Sequence, residues 1–390
     1  MVNTILNERC KCSIFETKSG ASEYFFVFEA KEQSYSQTLD VMFKDVQDAL
    51  AQFGLPFDST VFTRYHLSDA TNQQNQLLDS DLYKNLSSGA QSMVQQSPLG
   101  AGKFTLLSYH IKSKKLKGSD VGTTTDKNWQ NNKLFSGQHY SLLWSSNIQG
   151  SEVFDAYKQT HEIFNSYLKL LKEQDLSLFH NTLRTWFYVR DIDNHYDGLV
   201  EGRNDVFNAH GLTRDTHYIT STGIEGRLAN TSTLVSMDAL SIEGIKKEQI
   251  TQLEALEHLS PTHAYGVKFE RGTKLTFGDR EHFHISGTAS IDKCGQVVHE
   301  EDVEKQTQRT LENIKALLTP HGASLENMAY LTVYLRNFTH EKQVRKILRK
   351  ELGEEIPIVL VRGAVCRPTW LVEIEGIGIR SAETDFPPFL

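Results

Sequence analysis

Apolar and polar positions along this chain fall in an order that repeats. Residues 22–29, Ser-Glu-Tyr-Phe-Phe-Val-Phe-Glu, predict a strand; Leu39, Met42, Phe43, Val46, Leu50 and Phe53 then fall at helical spacing, and Gly54 closes the helix. A second strand is predicted over 61–67, a more polar helical stretch near 80–95, and a closing strand over 103–111. The order returns with a strand over 138–148 and a helical face of Phe154, Tyr157, Ile163, Phe164, Tyr167, Leu168 and Leu171. A strand over 185–189, a helix over 199–207 and a late strand over 233–237 complete that copy. The third copy has a strand over 282–291, a helix carrying Val303, Leu311, Ile314 and Leu318, a strand over 331–335 and a helix over 341–352. Two apolar runs within 356–376 then close the chain's pattern. Three copies of one α+β unit is the economical reading: an N-terminal unit over 1–112, a middle unit over 133–245 and a C-terminal unit over 263–390. The polar segments 112–132 and 242–262 read as linkers.

Candidate chemistry gathers in the last stretch. Leu371, Glu373 and Glu375 alternate with Val372 and Ile374, so a strand there aims both carboxylates at one face, beside Cys366 and Arg367. The alternative is the solvent face of an edge strand. The first copy ends in Lys103-Phe-Thr-Leu-Leu-Ser-Tyr-His and the second in Thr233-Leu-Val-Ser-Met-Asp, neither with paired glutamates, so one site built around Glu373 is expected.

Composition narrows the classes. With 39% apolar and 23% charged residues the chain is of ordinary globular type, and a net charge of −8 gives no electrostatic reason to expect nucleic acid or a ribonuclease role. No stretch approaches the roughly 18–20 apolar residues of a membrane span, and the N-terminus lacks a signal peptide's apolar run, which predicts a cytoplasmic protein. Cys10, Cys12, Cys294 and Cys366 are too scattered for a disulfide framework or a four-ligand zinc site. His282-x-His284 shares a strand face but has no third ligand at suitable spacing, so no metal is expected. Leu99-Gly-Ala-Gly-Lys103 lacks the earlier glycine and following Ser/Thr of a phosphate loop, and Gly223-Ile-Glu-Gly226 reads as a turn. Trp186-Phe187-Tyr188 reads as strand core, with Tyr188 a candidate to face a cleft.

The element order, Ile285-Ser-Gly-Thr-Ala, Gly295-x-Val-Val, Gln306-Thr, Leu311-Glu-Asn-Ile-Lys-Ala-Leu-Leu and Val333-Tyr-Leu-Arg resemble the RidA/YjgF family of small trimeric α+β proteins. Imine-hydrolysing members place a carboxylate-gripping arginine about fifteen residues before the terminal-strand glutamate, where this chain has Ile358 and Val359. From about residue 104 onward the chain is similar to the chorismatase family, in which two RidA-like halves clasp chorismate. The residues that carry this are Arg184-Thr-Trp-Phe-Tyr188, Gly198-Leu-x-x-x-Arg203, Thr222-Gly-Ile and Cys366-Arg367-x-x-x-Leu-Val-Glu373-Ile-Glu375-Gly376.

This resemblance implies three RidA-like units in one chain, a covalent pseudo-trimer or small homo-oligomer, and a cofactor-free enzyme with its site between the middle and C-terminal units. Chorismate is a dicarboxylate enolpyruvyl ether. Arginines suit its carboxylates bidentately, and cleavage needs a carboxyl group kept protonated near neutral pH. Glu373 is then the general acid, with Arg184, Arg203 and Arg367 on the carboxylates and Tyr188 and Glu375 completing the substrate site. Cys366 is a further catalytic position, resembling the subtype that forms 3-hydroxybenzoate rather than a dihydrodiol acid. The family's Gly-Arg after the position of Arg203 is absent, so one cation is either lost or replaced by His210. The competing readings are a RidA-like enamine or imine deaminase and a non-catalytic binder of small carboxylates.

Overall fold

A computed structural model describes residues 1–17, 21–30, 34–100, 102–113, 115–122, 131–150, 153–262 and 266–390. The first unit runs β1 (Val2–Asn7), β2 (Cys10–Phe15), β3 (Ser22–Ala30), α1 (Tyr35–Gln52), β4 (Thr60–Leu67), α2 (Ala70–Asp79), α3 (Asp81–Asn85), β5 (Ala90–Gln95) and β6 (Phe104–Lys112). The second runs β7 (Lys117–Asp120), β8 (Asn131–Ser136), β9 (Ser141–Gln149), α4 (Ala156–Glu173), α5 (Leu178–Asn181), β10 (Thr182–Val189), α6 (Ile192–Ala209), β11 (Thr220–Glu225) and β12 (Val235–Glu243). The third runs β13 (Ile250–Gln252), β14 (Gly272–Thr276), β15 (Arg280–Ala289), α7 (Val303–Leu318), β16 (Met328–Leu335), α8 (Glu341–Leu352), β17 (Ile358–Arg362) and β18 (Val372–Ser381). Each unit forms one six-stranded sheet with the same strand order, β1-β2-β3-β6-β4-β5 and its counterparts, so the fold is three repeats of an α+β unit.

The helices form where the pattern placed an apolar face, and their starts are capped. Ser34 opens α1 with a reciprocal capping box to Gln37, and Asp155 and Asp302 accept from the third backbone N–H of α4 and α7. Four expectations need correcting. The stretch 80–95 is the short helix α3 followed by strand β5, because its buried Ala90–Val94 pairs in parallel with β4. Gly223–Glu225 is strand rather than turn, since β11 pairs in parallel with β10. The segment 112–132 contributes β7, which pairs with β8, and residues 114 and 123–130 of it lie outside the described residues. The segment 242–262 supplies β13 to the third sheet.

The three sheets close around a pseudo-threefold axis through buried ion pairs that run in one direction. Arg64 of the first unit binds Asp238 of the second at 2.9 Å, Arg184 of the second binds Glu375 of the third, and Arg280 of the third binds Glu23 of the first. Such pairs are costly to desolvate, and removing one partner strands the other. Aromatic rings fill the centre: Phe62 stacks on Trp144 at 4.4 Å, and the Arg64 guanidinium lies 4.8 Å from the Trp186 ring.

A bulge in the third strand of each later sheet sets what happens at the unit boundaries. In β15 it falls at Ser286 and Gly287, opposite Glu375, and in β9 at Ser146 and Asn147, opposite Asp238. Asn147, at φ 52°, sends its side chain into the first unit, accepting from Met93 N at 2.8 Å and donating to Met93 O at 3.0 Å. That amide seals the boundary between the first and second units. Gly287 has no side chain to do the same between the second and third.

Candidate active site

A cavity of about 290 Å³ opens at that second boundary, between α6 and β11 of the middle unit and β15, β18 and the 366–370 loop of the third. Glu373 and, on α6, Asp197 supply its carboxyl groups, and Arg203, Arg271 and Arg367 its cations. Glu373 is on β18, which lies between β15 and β16, so the edge-strand reading of the glutamates does not hold. Its side chain is only 5% exposed and makes no hydrogen bond among the described residues. Gly287 makes room for it: a Cβ there would stand 2.2 Å from Glu373 Oε1.

Glu375, two residues on, is held quite differently. It accepts from Arg184 Nη2 at 2.5 Å, Tyr334 Oη at 2.8 Å, Trp186 Nε1 at 3.1 Å and the Thr222 hydroxyl. Thr222 also accepts from Gly287 N at 2.9 Å and from Arg184 Nη2 at 2.6 Å. Glu375, Arg184 and Thr222 thus form one buried network beneath Glu373. Burial pushes the Glu373 carboxyl up to about 8, the Glu375 charge adds to the rise, and Arg184 and Arg271 oppose it. One strand therefore holds a carboxylate saturated with donors beside a carboxyl that has none among the described residues.

The sequence-predicted residues divide accordingly. Glu373, Cys366, Arg203 and Arg367 line the cavity. Arg203 is buried, with Phe187 and Phe207 about its guanidinium, and Arg367 lies 4.9 Å from the Trp370 ring. Arg184 and Glu375 satisfy each other under the cavity, and Tyr188 sits in the axial core, its hydroxyl 3.5 Å from Asp238 and its ring 5.6 Å from Arg64. Burial pushes the Cys366 thiol up to about 12, with Glu373 adding to the rise, and its partner is the Tyr196 hydroxyl. It is a neutral thiol at physiological pH, not a nucleophilic thiolate. His210 is exposed at the C-cap of α6 and is not on the cavity wall. The additional cation is Arg271, buried at the start of β14, whose guanidinium donates to Ser260 O at 3.0 Å. Nothing in the alternation around 271 set it apart, whereas Gly287 lies inside the quoted Ile285-Ser-Gly-Thr-Ala.

A protonated carboxyl among arginines can deliver a proton to an anionic substrate that those arginines hold. The family described as Endoribonuclease L-PSP matches residues 277–379, and a RutC family protein of Pyrococcus abyssi is 33% identical over 98 residues, 25% of this chain and 76% of that protein. The third unit is thus of RidA type. Matches to larger proteins extend further. A 3-hydroxybenzoate synthase of Streptomyces hygroscopicus is 27% identical over 238 residues, 56% of this chain and 68% of that one. A chorismatase of Streptomyces rapamycinicus is 29% identical over 215 residues, 50% of this chain and 63% of that one. The crystal structure of a chorismatase shares the fold over 97% of this chain and 99% of its own, with a TM-score of 0.62 at 18% identity. Through its third unit the chain belongs to the RidA/RutC family, and over its wider length it is similar to chorismatases and shares their fold.

Proposed function

We propose that this chain cleaves the enolpyruvyl ether of chorismate in the cavity around Glu373, releasing pyruvate and a cyclic carboxylic acid. The observation that carries the reading is the pair of neighbouring glutamates in opposite states: Glu375 bound by four donors, and Glu373 raised to about 8 with no donor among the described residues. Glu373 gives its proton to the terminal methylene carbon, and the positive charge forms on the ether-bearing carbon. Attack of an oxygen nucleophile there breaks the ether, and pyruvate leaves. Water as the nucleophile yields a dihydroxycyclohexadiene acid, taking up one water overall. Rearrangement without net uptake of water yields 3-hydroxybenzoate, and Cys366 on the cavity wall, together with the relative named 3-hydroxybenzoate synthase, favours that product.

The cations divide the remaining work. Arg203, Arg271 and Arg367 take the two substrate carboxylates, since bidentate guanidinium pairing in a walled cavity fixes orientation as well as charge. Arg184 acts through Glu375 rather than on substrate. The Glu375 charge disfavours ionisation of Glu373, which keeps the proton available until the substrate accepts it. The test is pyruvate release from chorismate by the purified protein, read through a lactate dehydrogenase couple. A steady release that Glu373→Gln abolishes is expected; no release from the wild type, or an unchanged rate in Glu373→Gln, overturns the reading.

A further inference from the structure

A second cavity, of about 340 Å³, lies where the parallel strand pairs β4/β5, β10/β11 and β16/β17 of the three units end. Register fixes its place. Leu67 pairs with Gln95, Val189 with Glu225 and Leu335 with Arg362, so Gln95, Glu225 and Arg362 are equivalent positions of the three repeats. All three line this one cavity, which therefore sits on the pseudo-threefold axis. The boundary there is stitched closed: Gln95 N donates to Arg227 O at 2.8 Å, Arg362 N to Ser97 O at 2.8 Å and Glu225 N to Ala364 O at 3.0 Å. The wall is a built surface shared by three units, and none of its residues lines the cavity around Glu373.

Its chemistry is cationic. Arg190, Arg227 and Arg362 line it, and among the described residues none of the three ion-pairs with a carboxylate. The buried Nε of Arg227 has no hydrogen-bond partner among the described residues, while Arg190 Nη1 donates to Thr231 O. The two carboxylates on the wall are otherwise engaged, Glu225 accepting from Ala364 N at 3.1 Å and Asp191 from Asn194 Nδ2 at 2.8 Å. Asp191 stands at the start of the 18-residue helix α6 in a left-handed conformation, φ 50°, and makes no side-chain cap. Among the described residues the wall thus carries three guanidinium groups without a carboxylate partner, beside the N-terminal end of α6, whose cap residue Asp191 makes no side-chain cap. Gln95 gives its carbonyl oxygen to Ala70 N, which leaves its NH2 as a further donor.

We propose that this axial cavity is a binding site for a small multivalent oxyanion, a molecule with two or more carboxylate or phosphate groups, held by Arg190, Arg227 and Arg362. It does not depend on the chemistry assigned to Glu373. Citrate and pyrophosphate are the probes, titrated into the full chain by calorimetry and by thermal unfolding at constant ionic strength, with sodium chloride as the balancing salt. A saturable rise in unfolding temperature and one site per chain are expected, with citrate or pyrophosphate the stronger according to whether carboxylate or phosphate is the native group. Arg362→Gln, on an exposed side chain, and Arg227→Gln should each weaken that binding about tenfold or more, the usual loss for a charge-assisted contact. Glu373→Gln and Arg271→Gln, in the other cavity, should leave it unchanged. A rise that does not saturate, binding unaltered in both Arg362→Gln and Arg227→Gln, or binding lost in Arg271→Gln overturns the proposal.

Discussion

Replacing Glu373 by glutamine should make the protein more stable while removing its activity, and the size of the gain should depend on pH. The carboxyl ordinarily titrates at 4.5 and here near 8, so between those values the native state keeps a proton that the unfolded chain has released. Because the folded value lies above the unfolded one, stability is greatest below pH 4.5 and declines as pH rises through about 8. Each pH unit in that window withdraws about 1.4 kcal/mol, so at pH 7 the residue costs roughly 3 kcal/mol and near pH 8 somewhat more. Glutamine keeps the shape and has no proton to lose. Urea unfolding of both proteins at about pH 5, 7 and 8.5 should show curves that nearly coincide at the acid end and separate by several kcal/mol at the alkaline end. Pyruvate release in the variant should fall about a hundredfold to ten-thousandfold, the usual contribution of a general acid. A stability gap that does not widen with pH would refute the argument that burial and the Glu375 charge hold Glu373 protonated.

The same titration predicts a pH–rate profile that is flat through neutrality and falls with a one-proton slope above about pH 8, read as kcat/KM for pyruvate release. Gly287→Ala puts a methyl against Glu373 Oε1 and should cut turnover by at least tenfold; circular dichroism should show the fold retained, since the backbone there needs no glycine-specific φ. Arg271→Gln removes a cation from the cavity wall and should raise KM about tenfold to a hundredfold with a smaller change in kcat. Asp238→Ala leaves Arg64 buried without its counter-charge and should lower unfolding stability by about 3–5 kcal/mol, measured in denaturant.

Much of the architecture was legible because apolar spacing is dictated by burial, and each long helix and central strand buries a continuous face. The failures were local. Strand β5 hid in a polar stretch because its buried Gln91 is satisfied by hydrogen bonds to Tyr65 Oη and Tyr83 O rather than by being apolar, and β11 hid behind Thr222-Gly223, a composition that belongs equally to turns. At the site, alternation correctly put Glu373 and Glu375 on one face, but spacing along a strand carries nothing about what lies across a unit boundary. Arg184 and Glu375 are 191 residues apart and neutralise each other. Arg271 and Arg203 reach the cavity from different units, and only the closed ring of sheets brings them together.

The seal made by Asn147 bears on stoichiometry. A ring of three identical subunits must repeat every boundary three times, so any residue that opens one cleft opens all of them, and any that strengthens one is constrained by catalysis at the others. In a fused chain each boundary can carry its own sequence. Here one is closed by an amide clasping Met93 and another is left open by Gly287. The open boundary bears the destabilising carboxyl, and the closed one contributes to holding the ring together. Active-site titration should accordingly count one reactive centre per chain, a third of what the number of repeats suggests.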